Sequence, residues 1–326
     1  MAILDVHAHA VLEETMGQAG ALGPEMGSDA SGRPWFRVGD YVLQGVKYRD
    51  SPFLDVDLRL KGMDRAGIDQ QMLSPNPLTY FHEIPAELGV AFCRRHNDAM
   101  AETVARHPDR MLAAAALPMQ DPAAAVAELR RAVGDLGMVA SYVGTALGGR
   151  QLDDEAYDEL YATQTELDVP LFVHPASPSM LPGGDRRLAR WDLDLLLGFA
   201  FEETLAVATL VLGGVLDRHP NLDVCLSHGG GSLPFLIGRF ERATATRPWS
   251  LGGLRERGFA AMMSRLWFDS HVHGPEQRAL LLSVVGPDRL VFGTNFAGWD
   301  QGATTELDAT AEQYSANARR LLRLDR

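Results

Sequence analysis

The chain has 326 residues, 46% of them hydrophobic and 22% charged, with a formal net charge of −13. A chain of this composition buries a large core and is globular, and its acidic balance, without a block of lysine and arginine, argues against nucleic acid or an anionic membrane as partner. The two cysteines, Cys93 and Cys225, show no metal-type spacing and read as reduced structural thiols; with no signal pattern and no uncharged run of membrane-spanning length, a cytoplasmic location is expected.

Eight short apolar runs read as strands, at residues 3–6, 68–73, 111–117, 138–143, 171–173, 222–226, 266–268 and 290–292. Helical patterns follow at 86–105, 122–133, 154–167, 195–216, 233–243, 276–285 and 305–322. Asp121-Pro122 and Asp153-Asp154 supply N-terminal cap signals. Such alternation implies a parallel sheet with right-handed crossovers, and eight units close a barrel. The expected fold class is therefore α/β, a single (β/α)8 TIM barrel over residues 1–326. An open doubly wound sheet would be supported by a Gly-x-Gly-x-x-Gly turn after the first strand, and none is present.

One long stretch, residues 11–60, interrupts the alternation. It is rich in glycine and polar residues, carries Trp35, Phe36, Tyr41 and Tyr48, and leaves the end of strand one where barrels build their active sites. It is expected to be a lid, against the alternative of a mobile surface loop for its glycine-rich part.

The chain opens ILDVHAHA, and residues two apart on a strand share a face, so His7 and His9 project together. His174 ends strand five in PLFVHP, His228 ends strand six in LDVCLSHGGG, and Asn295 ends strand eight in RLVFGTN. All these positions converge on one barrel mouth. Three imidazoles with an open position make a catalytic metal site rather than a closed structural one. His107 and His219 precede prolines at helix ends and read as caps, while His82 and His96 are expected to be solvated. His271 and His273, in FDSHVHG, lie in a loop at the same mouth, where substrate contact is open to them. The HGGG stretch also occurs as an esterase oxyanion loop, but the Gly-x-Ser-x-Gly nucleophile motif is missing.

These residues resemble the amidohydrolase superfamily, and within it the branch of 2-amino-3-carboxymuconate semialdehyde decarboxylase with its related aromatic-acid decarboxylases, hydratases and C–C hydrolases. The similarity runs through VHAH, RLKGMDRAGID, LAAAALPMQDP, LFVHP, VLDRHPNLDVCLSHGGGSLPFLIGR, FDSHVHGP and VVGPDRLVFGTN. The resemblance implies one divalent metal, usually zinc, with manganese or another first-row ion as alternatives, on His7, His9 and His174. It implies His228 as general acid/base and Arg239 as a carboxylate binder serving the partner's site in a homodimer. Arg49 is the nearest match to a second, lid-borne carboxylate binder, with Trp191 and His273 as further substrate contacts.

The departure is at strand eight, where the family pattern has a metal-binding carboxylate and this chain has Asn295. An amide oxygen coordinates without contributing charge. Asp269, at the end of strand seven, is the expected substitute in the catalytic set. Asp300 lies roughly 16 Å away along an extended chain and reaches the site only by folding back.

The activity implied is metal-dependent, non-oxidative decarboxylation of a small unsaturated or aromatic carboxylic acid. A hydratase or C–C hydrolase acting on a related ring-fission acid is the alternative, and a non-catalytic metal- or ligand-binding barrel is a third possibility.

Overall fold

In the computed structural model, which describes residues 2–176, 186–188, 190–250, 252–301 and 309–325, each apolar run forms a strand. With three further short strands that the sequence did not announce, β2 (Glu25–Ser28), β3 (Pro34–Val38) and β4 (Tyr41–Gln44), the strands in chain order are β1 (Leu4–Ala10), β2, β3, β4, β5 (Gln70–Pro75), β6 (Met111–Ala116), β7 (Ala140–Val143), β8 (Leu171–Val173), β9 (Val224–Leu226), β10 (Trp267–Asp269) and β11 (Leu290–Val291). β1 and β5–β11 make one eight-stranded parallel sheet in sequence order. The Val6 N–H donates to the Phe292 carbonyl at 2.9 Å across the seam between first and last strands. The fold is a (β/α)8 barrel, as the alternation of strands and helices requires.

The crossover helices are α1 (Val56–Ala66), α2 (Ala86–Ala105), α3 (Pro122–Gly134), α4 (Asp158–Leu167), α5 (Phe199–Leu212), α6 (Val215–Arg218), α7 (Leu233–Thr246), α8 (Gly252–Arg257), α9 (Phe259–Met263), α10 (Pro275–Val285) and α11 (Ala309–Leu321). Asp121 caps α3 through the Ala124 N–H, and Asp154 caps a 3₁₀ turn ahead of α4 through the Ala156 N–H. The expected helix over 195–216 is divided: a π-helical turn at Asp194–Gly198 leads into α5, and Gly213-Gly214 separates α5 from α6. Of the last expected helix, 302–308 lies outside the described residues, and α11 covers the remainder. The stretch Asp194–Leu212 is apolar and long enough to cross a bilayer by composition alone. Its Glu203, however, is buried against Ser227 and His228, which makes it a helix of the barrel wall.

Side chains sort by strand parity. Leu4, Val6, Met72, Ala114, Tyr142, Phe172, Cys225, Trp267 and Val291 pack with one another inside the barrel, and Ala318 and Leu321 of α11 join them. The alternate residues, such as Leu73, Ala115, Val143, Val173 and Leu226, pack outward under the helices.

The 11–60 stretch is a folded unit rather than a glycine-rich coil. β2, β3 and β4 form an antiparallel sheet, and Phe36 and Tyr48 anchor a separate apolar cluster that takes in Phe81 and Phe92 of the barrel segments. The unit ends sooner than expected, because Asp55 caps α1 by accepting from the Leu58 N–H at 2.9 Å.

Candidate metal centre

A register shift in the β1–β5 pairing, between Asp5 and Ala8, aims the first two histidines. Before it, Leu4 and Val6 face the barrel interior; after it, Ala8 and Ala10 face the helices. The inward parity therefore changes from even to odd at the irregularity, and His7 and His9 both point into the mouth. Elsewhere plain alternation suffices. His174 stands two residues beyond inward Phe172 and Asp269 two beyond Trp267.

The Nε2 atoms of His7 and His9 are 3.2 Å apart, as are those of His9 and His174. The far nitrogens decide where the protons sit. His7 Nδ1 is 2.7 Å from Asp269 Oδ2, His9 Nδ1 is 3.0 Å from the Pro75 carbonyl, and His174 Nδ1 is 2.7 Å from the Pro175 carbonyl. Carboxylate and carbonyl oxygens accept only, so each Nδ1 donates and each Nε2 is left with a lone pair. Burial keeps all three rings neutral, pushing His9 down to about 3 and the other two well below the ordinary histidine value. Three buried lone pairs facing one another repel unless a cation lies among them. A separation of about 3.3 Å is what nitrogens on a tetrahedral zinc show. The residues fit a divalent ion with an open coordination position.

His228 closes the next side, its ring centroid 4.9 Å from those of His7 and His174. It occupies a left-handed conformation, φ 44°, at the start of a turn whose three glycines also have positive φ. A Cβ on Gly231 would stand 2.2 Å from the Ala200 carbonyl oxygen, so the backbone passes α5 only as glycine. His228 Nδ1 lies 2.7 Å from Oε1 of Glu203, which is fully buried and also accepts from Ser227 Oγ at 2.7 Å. Burial works against a charge on His228, but the Glu203 carboxylate outweighs it and holds the imidazolium up to about 9.

The loop after β11 doubles back. Phe296 N–H donates to the His7 carbonyl at 3.1 Å, and Asn295 and Ala297 both take positive φ. Asp300 thereby arrives at the mouth: its Oδ1 accepts from Asn295 Nδ2 at 2.6 Å and its Oδ2 lies 3.1 Å from His271 Nε2. Burial opposes the charge on Asp300, but the His271 contact and the neighbouring positive groups hold its carboxyl well below the usual range. Asp5, fully buried below, accepts from the Thr294 N–H and hydroxyl and from the His7 N–H, tying the last strand to the first.

A family model described as amidohydrolase matches residues 4–324. The chain belongs to the amidohydrolase family. It is 31% identical to the 2-amino-3-carboxymuconate-6-semialdehyde decarboxylase of Dictyostelium discoideum over 257 residues, which are 78% of this chain and 70% of that protein. With the gamma-resorcylate decarboxylase of Rhizobium radiobacter the identity is 33% over 321 residues, 93% of this chain and 95% of the relative. The dihydroxybenzoic acid decarboxylase of Polaromonas, solved with manganese and the inhibitor 2-nitroresorcinol, superposes with a TM-score of 0.78 at 26% identity, covering 100% of this chain and 98% of that one.

In this amidohydrolase the other expected site residues are placed unevenly. Asp269 is not beside the converging nitrogens as a substitute ligand: its Oδ2 is taken by His7 Nδ1, on the ring's far side, and its Oδ1 accepts from the Gly229 and His271 N–H groups. Arg49 pairs with Glu13 at 2.8 Å, both side chains largely exposed. Arg239 is exposed on α7 and makes no ion pair among the described residues. Trp191 is exposed with the Arg190 guanidinium 4.1 Å from its ring centre. His273 is exposed, 3.5 Å from Asp300. His82 and His96, expected in solvent, are buried instead; His82 Nε2 accepts from the Gly144 N–H at 3.0 Å. A cavity of about 640 Å³ runs between the β2–β4 unit and the barrel loops, lined by Tyr41, Leu78, Tyr80, His82 and Ala176. The Tyr80 ring centre is 6.4 Å from that of His174.

Sequence reasoning missed Glu203, Asp300's approach and the pairing of Asp269 with His7. A signal for Glu203 was present: a glutamate pair inside FAFEETLAVATLVL, an otherwise apolar helix, demands a buried partner.

Proposed function

We propose that the protein is a metal-dependent, non-oxidative decarboxylase of a small aromatic or unsaturated carboxylic acid. The observation that carries this is the meeting of three neutral imidazole lone pairs with a fourth histidine held as its cation. The decarboxylases among its relatives support the same chemistry. His7, His9 and His174 would hold the ion, which when bound supplies Lewis-acid polarisation of a substrate oxygen. Zinc is the ion we assign, since three nitrogen donors suit it better than manganese, which favours oxygen-rich sites.

His228 then acts as the acid. Its Nε2 proton passes to the carbon bearing the carboxylate, the bond from that carbon to the carboxylate breaks, its electron pair returns to the ring, and carbon dioxide leaves. Carboxylate has been exchanged for hydrogen, and the neutral imidazole recovers a proton from solvent. Glu203 keeps the ring oriented with its proton-bearing Nε2 toward the substrate. A hydratase or hydrolase would need a neutral histidine to take a proton from water, and Glu203 biases His228 against that state.

The substrate carboxylate is assigned to Arg49 and, from a second subunit, Arg239. The exposure of Arg239 and of Phe235 one turn before it, 82% accessible, supports a homodimer with this face inward. The β2–β4 unit, as a wall of the adjoining cavity, is proposed as the lid. The test is carbon dioxide release from 2,6-dihydroxybenzoate, other hydroxybenzoates and muconate-type acids by zinc- or manganese-loaded protein. A hydrated product without carbon dioxide would favour the hydratase, and no turnover of any acid would overturn the assignment.

A further inference from the structure

Every atom that His7, His9 and His174 offer to an ion is neutral, and Asn295, in the loop after β11, is neutral as well. A dication in such a ring is uncompensated unless carboxylates stand behind the donors. One does so on the β10 side, where Asp269 accepts from His7 Nδ1 at 2.7 Å. On the β11 side the loop supplies another.

The loop geometry is specific. Gly298 N–H donates to the Asn295 carbonyl at 2.8 Å, Ala297 N–H to Gln301 Oε1 at 2.7 Å, and Gln301 N–H to the Gly298 carbonyl at 3.2 Å. A Cβ on Gly298 would sit 2.8 Å from both Cγ and Nδ2 of Asn295, so the chain crosses over that side chain only as glycine. This crossing returns Asp300 to within 2.6 Å of Asn295 Nδ2. Because a carboxylate accepts only, the amide must turn its nitrogen to Asp300, leaving its oxygen on the other side with no donor among the described residues.

We propose that Asn295 and Asp300 act as one unit, the amide oxygen facing the ion and the Asp300 carboxylate supplying, through the amide, the negative charge that the ring of donors lacks. This rests on the metal centre assigned above. Asp300 is here a positioning residue that acts through Asn295 and His271, not a ligand. The arrangement leaves the ion more electrophilic than a directly bound carboxylate would, while keeping it in place.

The experiment measures Zn²⁺ and Mn²⁺ affinity by chelator competition on full-length, metal-stripped protein, with folding checked by circular dichroism. The variants are Asp300→Asn, Asn295→Asp and the double variant. Loss of an outer partner costs about 10–100-fold in metal affinity, so Asp300→Asn is expected to fall by that much. Asn295→Asp should bind at least as tightly as wild type, and the double variant should recover wild-type affinity, because the charge has moved inward rather than vanished. An unchanged Asp300→Asn overturns the proposal, as does a double variant no better than Asp300→Asn alone. Two ions per chain, one of them lost in Asp300→Asn, would also overturn it, by making Asp300 a direct ligand with His228 and His271. A wild type that binds no ion defeats the metal centre itself, a result distinct from those three.

Discussion

Glu203, fully buried, and His228, partly buried, form an ion pair at 2.7 Å, set between helix α5 and the turn after β9. The glutamate comes from the wall of the barrel and the histidine from its mouth, so the protonation state of the site is set from helix α5, whose Phe199 ring centre also stands 5.7 Å from that of His174.

That pair fixes the pH dependence. With the His228 proton held up to about 9, a reaction that needs the imidazolium runs at full rate below that value and declines as pH rises through it. Glu203→Gln removes the charge that raises it, so the alkaline limb of kcat/KM should move to lower pH by a unit or more. An unmoved limb, with the variant folded, would detach Glu203 from the acid.

The metal set separates from the proton donor by analysis of bound metal. His7→Ala, His9→Ala and His174→Ala should each lose the ion, and Asp269→Asn should weaken it about 10–100-fold by freeing the His7 ring. His228→Ala should retain the ion and lose about 100- to 10,000-fold in turnover, the range for a general acid. Metal retained in His174→Ala would remove β8 from the centre.

Assembly is tested by mixing. If Arg239 serves a partner's site, inactive His228→Ala and inactive Arg239→Ala should regain activity together, through hybrid dimers holding one intact site. No recovery under conditions of demonstrated subunit exchange would return Arg239 to its own chain's surface.

Most of the barrel was legible because its strands are buried on both faces and so read as unbroken apolar runs, Leu171–Val173 being recovered to the residue. The strands inside the 11–60 insertion were not. β2–β4 are half-exposed and short, and their alternation is blurred by Gly27 and Pro34. The histidines were legible because strand ends meet at one mouth whatever the register. The turn of parity at Asp5–Ala8 was invisible, since either parity keeps His7 and His9 on a common face. Asp300 was the harder case. The sequence left it able to reach the site only by folding back, and the positive φ at Asn295 and Ala297 supplies that fold, which no residue type there announces.

The contacts that complete the centre span almost the whole chain. His9 meets His174 across 165 residues, Asp5 meets Thr294 across 289, and the Leu4 N–H donates to Ser315 Oγ across 311. Closing such loops costs entropy that only the finished barrel repays. During synthesis His7 and His9 precede His174 by at least 165 residues, and they remain a bare pair of donors until it has followed. An ion taken up at that late stage works as a latch on the closed form. Since it has no complete set of ligands in the unfolded chain, it raises stability with its free concentration. The gain is shared by the seam, the first strand and the last helix alike, and chelation loosens them together.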